Sequence, residues 1–544
     1  MQHKSQNSSA DPSERRSNVQ SAASPTASTR SGPVRGVLVA ASTPHRRERD
    51  VAVFRGIPFA ADTGGVNRFC APQREQLWTG ERDATSFGTI APQSPTPLEA
   101  MFGAAPTSVG EDCLNLNVWT PRCDDAARPV LVWIHGGGFM TGSGSTPWYD
   151  GTRYAANHDV VVVSINYRMG AFGYLHLAGV SANEPNSQLD GELDAMSSNC
   201  GLLDQIAALQ WVRDCIASFG GDPAQVTVFG ESAGAMSIGT LLGTPASKGL
   251  FARAILESGA AGNVGSSEVG AETARSVLEE AGFDADGIGF KALRAMSTSE
   301  LLKVSDAVGN RIGVTGRLPF QPTVDGRVLP RHPLEEVRAG AAAGIEVLFG
   351  TTRDEMRLFT LFDTALTTVT RDGLVKRAEL TLGTRAASVI DTYIAARAGQ
   401  PMSEVWPDVA TDMVFRAPAQ RLAEALASRA GASMWAYEFH WPSPAFGGRL
   451  KSCHALEIPF VFDNLDKPGI EMFTGAGAER QDVADLLHTA WANFARSGDP
   501  NVGAALPGPA WPVFDVKTRP VYHVDAVSSV DDDPRGDELR LWLL

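Results

Sequence analysis

The chain has 544 residues, of which 43% are hydrophobic and 20% charged, a balance that predicts a globular protein with a large core. Its formal net charge of −15 argues against nucleic acids and anionic membranes as partners, because both require a positively charged surface. No apolar run reaches the ~18 residues that a bilayer-spanning helix needs.

The cysteines form no C-x-x-C pair and show no spacing typical of a metal site. They are Cys70, Cys113, Cys123, Cys200, Cys215 and Cys453. We interpret them as mostly buried free thiols in a reducing compartment, which predicts a cytoplasmic protein.

Residues 1–31 are rich in small polar residues and contain no aromatic side chain, so we expect a disordered tail. The tail lacks the apolar core of a secretory signal. We expect residues 32–544 to form a single α/β domain, because no later linker divides the chain.

Segments with the pattern of strands begin directly after the tail. VRGVLVA and VAVFRGIPFA predict a pair of strands near residues 34–60, and residues 111–119 alternate as a further strand should. Residues 129–134 (PVLVWI) are continuously apolar, which is typical of a central strand buried on both faces.

Strands and helices then alternate. Residues 159–166 predict a strand, residues 200–219 an amphipathic helix, and residues 227–229 the strand that follows it. Short links between such elements indicate a mostly parallel sheet with helices on its faces. Helical segments at about 265–340 and 360–430 predict two cap-like insertions between later strands.

One stretch, Gly230-Glu231-Ser232-Ala233-Gly234, has the pattern G-x-S-x-G between a β-branched run and a helix start. A serine hydroxyl is a weak nucleophile unless the backbone exposes it and a base activates it. A tight strand–turn–helix elbow with flanking glycines provides that exposure. Because five-residue matches arise by chance, the chain must also supply a base, an acid and an oxyanion hole.

Candidates for these parts follow other predicted strands. Glycines 136–138 come directly after the central strand, where backbone N–H groups can face a ligand. Two adjacent carboxylates, Asp354 and Glu355, follow the strand near residue 350. Ten histidines compete for the role of base, and His454 lies on a loop after a late strand. Position alone does not decide among them.

Several motifs occur together and in order. They are GEDCLNLNVW (110–119), WIHGGGF (133–139), FGESAG (229–234), GTTRDE (350–355) and CHALEIPFVF (453–462). In these motifs the chain resembles the type-B carboxylesterases of the α/β-hydrolase superfamily, and in particular bacterial carboxylesterases of the para-nitrobenzyl esterase kind. The resemblance runs from about residue 34 to the C-terminus.

The resemblance implies an α/β-hydrolase fold and a serine esterase that acts on small to medium carboxylic esters without a metal or cofactor. It implies these roles: Ser232 as nucleophile, His454 as general base, Glu355 rather than Asp354 as orienting acid, and the N–H groups of Gly137, Gly138 and Ala233 as the oxyanion hole. A base that must be neutral predicts that activity falls on the acid side of roughly pH 6.5.

The chain also departs from the family pattern. Ala91 stands where relatives often have a cysteine that pairs with the one at Cys113, so we expect Cys113 to be unpaired. Residues 92–112 contain no tryptophan, and Phe102 is their one aromatic residue, which argues against choline esters. The same machinery would serve a carbamate, amide or lactone hydrolase, and a non-catalytic adhesion protein of this fold is a more remote alternative.

Overall fold

The computed structural model describes residues 24–43, 46–95, 108–181, 198–313, 316–428 and 433–543. The strands within these residues are β1 (Thr26–Thr29), β2 (Gly32–Arg35), β3 (Val37–Thr43), β4 (Arg46–Pro58), β5 (Arg82–Asp83), β6 (Asn115–Thr120), β7 (Arg128–Ile134), β8 (Val161–Ile165), β9 (Gly221–Glu231), β10 (Arg253–Glu257), β11 (Glu346–Thr352), β12 (Met434–Phe439), β13 (Pro520–Val524) and β14 (Ser529–Asp532).

The α-helices of the same residues are α1 (Thr152–His158), α2 (Gly170–Tyr174), α3 (Leu177–Ser181), α4 (Cys200–Cys215), α5 (Ala233–Leu242), α6 (Ser267–Glu280), α7 (Gly287–Ala295), α8 (Thr298–Gly313), α9 (Pro333–Arg338), α10 (Arg357–Thr360), α11 (Arg371–Leu382), α12 (Ala386–Ala396), α13 (Met402–Thr411), α14 (Ala417–Ala427), α15 (Ile458–Val461), α16 (Ile470–Thr474), α17 (Ala478–Ser497) and α18 (Gly536–Arg540). None of these helices is long and apolar enough to cross a membrane.

Eleven strands form one sheet in the order β14-β13-β12-β11-β10-β9-β7-β8-β6-β4-β3. The seven neighbours from β13 to β8 run parallel, whereas β14 at one edge and β6, β4 and β3 at the other pair antiparallel. The sheet is therefore mostly parallel, and its central strands are buried over most of their length.

Two apolar layers cover the sheet. Along β7, Val130 and Val132 pack into the core on one face, and Leu131 and Trp133 pack into the core on the other. This alternation follows from the two-residue period of a strand, and it explains why β7 is apolar throughout. The carboxyl ends of the parallel strands then meet at one edge, where their loops carry polar residues.

The predicted boundary of the N-terminal tail is wrong. Residues 1–23 lie outside the described residues, but β1 begins at Thr26 and pairs antiparallel with β2. Ala27 is buried, and Arg30 donates to the carboxylate of Glu75 at 2.7 and 2.9 Å. These contacts with distant residues order a segment whose own sequence carries almost no apolar side chain.

Helices occupy both regions where helical insertions are predicted: α6–α9 between β10 and β11, and α11–α14 between β11 and β12. The strand β14 was not predicted, since its residues are all exposed. All six cysteines are free thiols, including the buried Cys113. Residues 96–107, including Phe102, lie outside the described residues.

Candidate active site

Ser232 sits in a tight turn between β9 and α5. Its backbone has φ 55° and ψ −122°, a conformation that L-residues rarely adopt. A Cβ atom on Gly230 or on Gly234 would overlap the carbonyl oxygen of Ile134 at the end of β7. The two glycines of the motif are therefore required by the close approach of the neighbouring strand.

Two backbone hydrogen bonds hold this turn. The N–H of Ser232 donates to the carbonyl of Glu257 at 2.9 Å, and its carbonyl accepts from the N–H of Met236 at 2.8 Å. The first bond ties the turn to the end of β10, and the second begins α5. The strained residue is thus fixed on both sides and leaves its side chain partly exposed.

His454 and Glu355 are in direct contact. Nδ1 of His454 lies 2.6 Å from Oε2 of Glu355, and Oε1 of Glu355 accepts from the N–H of Thr352 at 2.8 Å. Both side chains are buried. The neighbouring Asp354 instead accepts from Arg353 and from the N–H of Ser452, so of the two adjacent carboxylates Glu355 is the one that contacts His454.

The other nitrogen of His454 faces Glu231. Its Nε2 lies 3.0 Å from Oε1 of Glu231. Within the described residues, no hydrogen bond joins the hydroxyl of Ser232 to His454. The ring nitrogen of His454 that does not contact Glu355 therefore contacts Glu231, the residue between Gly230 and Ser232.

The electrostatics of His454 follow from these contacts. Burial alone would lower its pKa, but Glu231 and Glu355 raise the pKa of His454 well above its usual value. Burial raises the pKa of Glu231, while the adjacent imidazole opposes that rise. The buried imidazolium is therefore favoured more strongly than the sequence alone suggests.

Two further buried glutamates surround this group. Glu257 accepts from Nε1 of Trp491 at 2.7 Å, and Glu457 accepts from the hydroxyl of Ser258 at 3.2 Å. Burial raises the pKa of both carboxyls well above the usual range, which favours their neutral form. They therefore add little negative charge around His454.

The glycine loop follows β7 and packs on the serine turn. Gly137 has φ 109° and Gly138 has φ 62°, so both lie in the left-handed region that favours glycine. A Cβ on Gly136 would lie 2.8 Å from the carbonyl oxygen of Glu231 and 3.1 Å from Cβ of Ser232. The loop thus runs directly against the residue that the turn presents.

His135 supports this loop rather than acting as a base. Its Nδ1 lies 2.8 Å from the carbonyl of Gly136, and its ring stacks on Tyr167 at 4.5 Å. Burial lowers the pKa of His135 to about 4, so the ring is neutral at neutral pH. Tyr167 in turn donates its hydroxyl hydrogen to the carbonyl of His135 at 2.8 Å, which fixes the start of the loop.

Ala233 is the first residue of α5 and is fully buried. The first N–H groups of a helix have no partner within the helix, and they form the positive end of its dipole. The N–H of Ala233 is therefore one of the first donors of α5, directly after Ser232.

Aromatic and aliphatic side chains that were not predicted surround the polar group. The rings of Phe415 and Phe359 lie 4.8 and 5.1 Å from the ring of His454, and Cδ2 of Leu318 lies 4.0 Å from the position of a Cβ on Gly138. Phe359 is 56% exposed. An apolar ligand could therefore contact Phe359 from solvent next to His454.

Two other sets of side chains, the thiol of Cys453 and the cluster around Glu438, are less suited to nucleophilic catalysis or to metal binding. Burial raises the pKa of the Cys453 thiol well above its usual value, so this neighbour of His454 is not a reactive thiolate. Glu438, His440 and His523 hold three possible metal ligands within 4.8 Å. However, Glu438 pairs with Arg416 and Arg535, whose guanidinium groups would repel a cation.

Comparison with known proteins decides the family. Residues 23–542 match the model of the carboxylesterase family. The chain belongs to the carboxylesterase family. It is 40% identical over 498 residues to para-nitrobenzyl esterase of Bacillus subtilis (strain 168), covering 90% of this chain and 94% of the relative. It is 36% identical to phenmedipham hydrolase of Pseudarthrobacter oxydans, covering 86% and 90%.

Solved structures of similar proteins agree with this family. A crystal structure of a Geobacillus stearothermophilus carboxylesterase superposes with a TM-score of 0.82 at 41% identity, covering 95% of this chain and 99% of that one. The expected α/β-hydrolase fold is confirmed, and so is the expected carboxylic ester hydrolase of the serine type. The non-catalytic adhesion alternative is therefore not supported.

Proposed function

We propose that this carboxylesterase hydrolyses small to medium carboxylic esters through an acyl intermediate on Ser232. The observation that carries the proposal is the strained turn at Ser232, whose neighbour Glu231 contacts His454 of the buried His454–Glu355 pair. The family membership supplies the ester as the substrate class.

The residues would act in sequence. Oγ of Ser232 attacks the ester carbonyl carbon as Nε2 of His454 takes its proton, and Glu355 holds the ring through Nδ1. The bond to the alkoxy group breaks as His454 returns the proton to the leaving alcohol. Water, activated by His454, then attacks the acyl-serine and releases the acid.

A negative charge develops on the carbonyl oxygen when Ser232 is acylated and again when water attacks the acyl-serine. Hydrogen-bond donors must stabilise that charge at both steps. We assign the N–H groups of Gly137, Gly138 and Ala233 to this role. The contact of the glycine loop with the Ser232 turn and the position of Ala233 at the start of α5 support the assignment. Removal of one such donor typically costs ~10²–10³ in turnover.

Glu231 gives His454 a second partner in the resting enzyme. The contact of Nε2 with Glu231 stabilises the imidazolium, which cannot accept the proton of Ser232. We therefore expect the acid limb of the pH–rate profile to lie above the pH of roughly 6.5 expected for an unperturbed histidine.

Other features support an apolar substrate group, the proposed location and the proposed origin of the protein. The rings of Phe359 and Phe415 beside His454 suit an apolar acyl or alcohol group. The six free thiols support a cytoplasmic location, and the named relatives from Bacillus and Pseudarthrobacter support a bacterial origin.

A panel of substrates tests the function. Wild type and Ser232→Ala are incubated with p-nitrophenyl esters of increasing acyl length, an aryl carbamate and an anilide. We expect ester turnover by wild type and a loss of about 10⁴-fold or more in Ser232→Ala. Ser237→Ala is the matched control, because Ser237 lies on the same helix but its hydroxyl accepts from Gln205.

Undiminished turnover by Ser232→Ala would rule out the proposed nucleophile. Hydrolysis of the carbamate or anilide in preference to every ester would instead support the alternative acyl hydrolases. The acyl length with the highest kcat/KM would report the size of the pocket.

A further inference from the structure

A second cleft lies between the sheet and α14. Strands β11, β12 and β13, the helix α14 and the C-terminal residues around α18 border a cleft open to solvent, whose volume of about 510 Å³ includes the open space at its mouth. Its apolar lining consists of Phe349, Ala419, Ala436, Phe514, Val521 and Leu539. None of Ser232, Glu355 or His454 lines it, so this cleft is separate from the candidate active site.

The lining also holds charged residues, and its two carboxylates already accept hydrogen bonds from arginines. Three arginines and two carboxylates line the cleft, an excess of one positive charge in a strongly acidic protein. Oε1 of Glu438 accepts from Arg416 and Arg535, and its Oε2 lies 2.5 Å from Nε2 of His440. The Asp533 carboxylate accepts from Arg519 at 3.4 Å and from an arginine outside the lining at 2.7 Å.

Three nitrogen donors of the lining residues have no acceptor. Nε of Arg519, Nε of Arg535 and the amide nitrogen of Gln420 are buried and form no hydrogen bond with any described residue. Gln420 is itself only 8% exposed. A buried donor without an acceptor is costly, and a ligand in the cleft would supply the missing acceptor.

We propose that this cleft binds a small organic carboxylate with an apolar body. A carboxylate offers two oxygens that accept hydrogen bonds from guanidinium and amide N–H groups, and the apolar part of the ligand would contact the apolar residues of the lining. A dianion such as phosphate fits less well, because Glu438 and Asp533 lie in the same lining. The site does not depend on the role of Ser232.

The test uses benzoate as the probe and isothermal titration of the full-length protein. Gln420→Leu removes an unpaired buried amide, so we expect the variant to fold with an unchanged or higher Tm and to bind benzoate at least about threefold more weakly. Arg535→Gln should weaken benzoate at least about tenfold. The matched control, Arg371→Gln, changes an exposed arginine that pairs with Asp391 and should leave the affinity unchanged.

Two comparison ligands test which parts of benzoate the cleft requires. Benzyl alcohol keeps the apolar body without the carboxylate, and inorganic phosphate keeps an anion without the apolar body; we expect each to bind at least about tenfold more weakly than benzoate. The proposal is overturned if benzoate does not bind, if Gln420→Leu and Arg535→Gln both leave its affinity unchanged, or if phosphate binds as well as benzoate.

Discussion

At the scale of the residue, the proton affinity of His454 depends on two carboxylates rather than one. Glu355 contacts Nδ1 and Glu231 contacts Nε2, and both raise the pKa of the imidazole against the effect of burial. Because the proposed base must be neutral, Glu231 should set the pH at which the esterase becomes active.

Replacing Glu231 with glutamine tests this dependence. The amide keeps the shape but removes the charge beside Nε2, so the pKa of His454 should fall. We expect the acid limb of kcat/KM to move to lower pH by about one unit or more in Glu231→Gln.

Glu457→Gln is the control, since burial already favours the neutral form of Glu457 and the substitution removes no charge. An acid limb at the same pH in wild type and Glu231→Gln would contradict the role given to Glu231.

The sequence alone predicts only part of this arrangement. Ser232, Glu355 and His454 belong to motifs that could be identified from their order along the chain. Glu231 was visible within G-x-S-x-G, but its contact with His454 depends on how two distant loops meet. Phe415 lies within the π-helical segment Asp412–Arg416, which directly precedes α14, and no local pattern predicts that its ring lies next to that of His454.

At the scale of the element, the loop after β7 has three residues of positive φ in succession, Gly137, Gly138 and Phe139, of which the first two are glycines. The two positions differ in their surroundings. A Cβ on Gly137 would overlap the carbonyl of Thr141, whereas a Cβ on Gly138 would meet only Leu318, at 4.0 Å. The requirement for glycine is therefore steric at Gly137 and mainly conformational at Gly138.

Alanine substitutions separate these effects. Gly138→Ala should lower the free energy of unfolding by about 1–2 kcal/mol, the cost of a left-handed alanine. Gly137→Ala must also displace the Thr141 backbone, so we expect a larger loss of stability and a larger fall in kcat. Thermal unfolding measures the loss of stability, and turnover of p-nitrophenyl acetate measures the fall in kcat. Equal losses of stability and of kcat in the two variants would contradict this account.

At the scale of the whole molecule, the sequence predicted the central sheet well and its margins poorly. Apolar runs such as those of β7 and β8 are buried on both faces, so composition alone identifies them. The edge strand β14 is exposed throughout, and β1 is ordered by its pairing with β2 and by the Arg30–Glu75 contact. Such elements depend on distant partners. That residues 32–544 form a single domain stays a prediction.

Ser232, Glu355 and His454 each follow a different strand of the sheet, so their proposed cooperation depends on the whole fold. Acid-quenched peptide mapping after brief reaction with p-nitrophenyl acetate tests their proposed chemistry most directly. We predict an acetyl group on Ser232 in wild type, and no acetylated peptide in Ser232→Ala. Ester turnover without acetylation of Ser232, or with acetylation of another residue, would contradict the proposed mechanism.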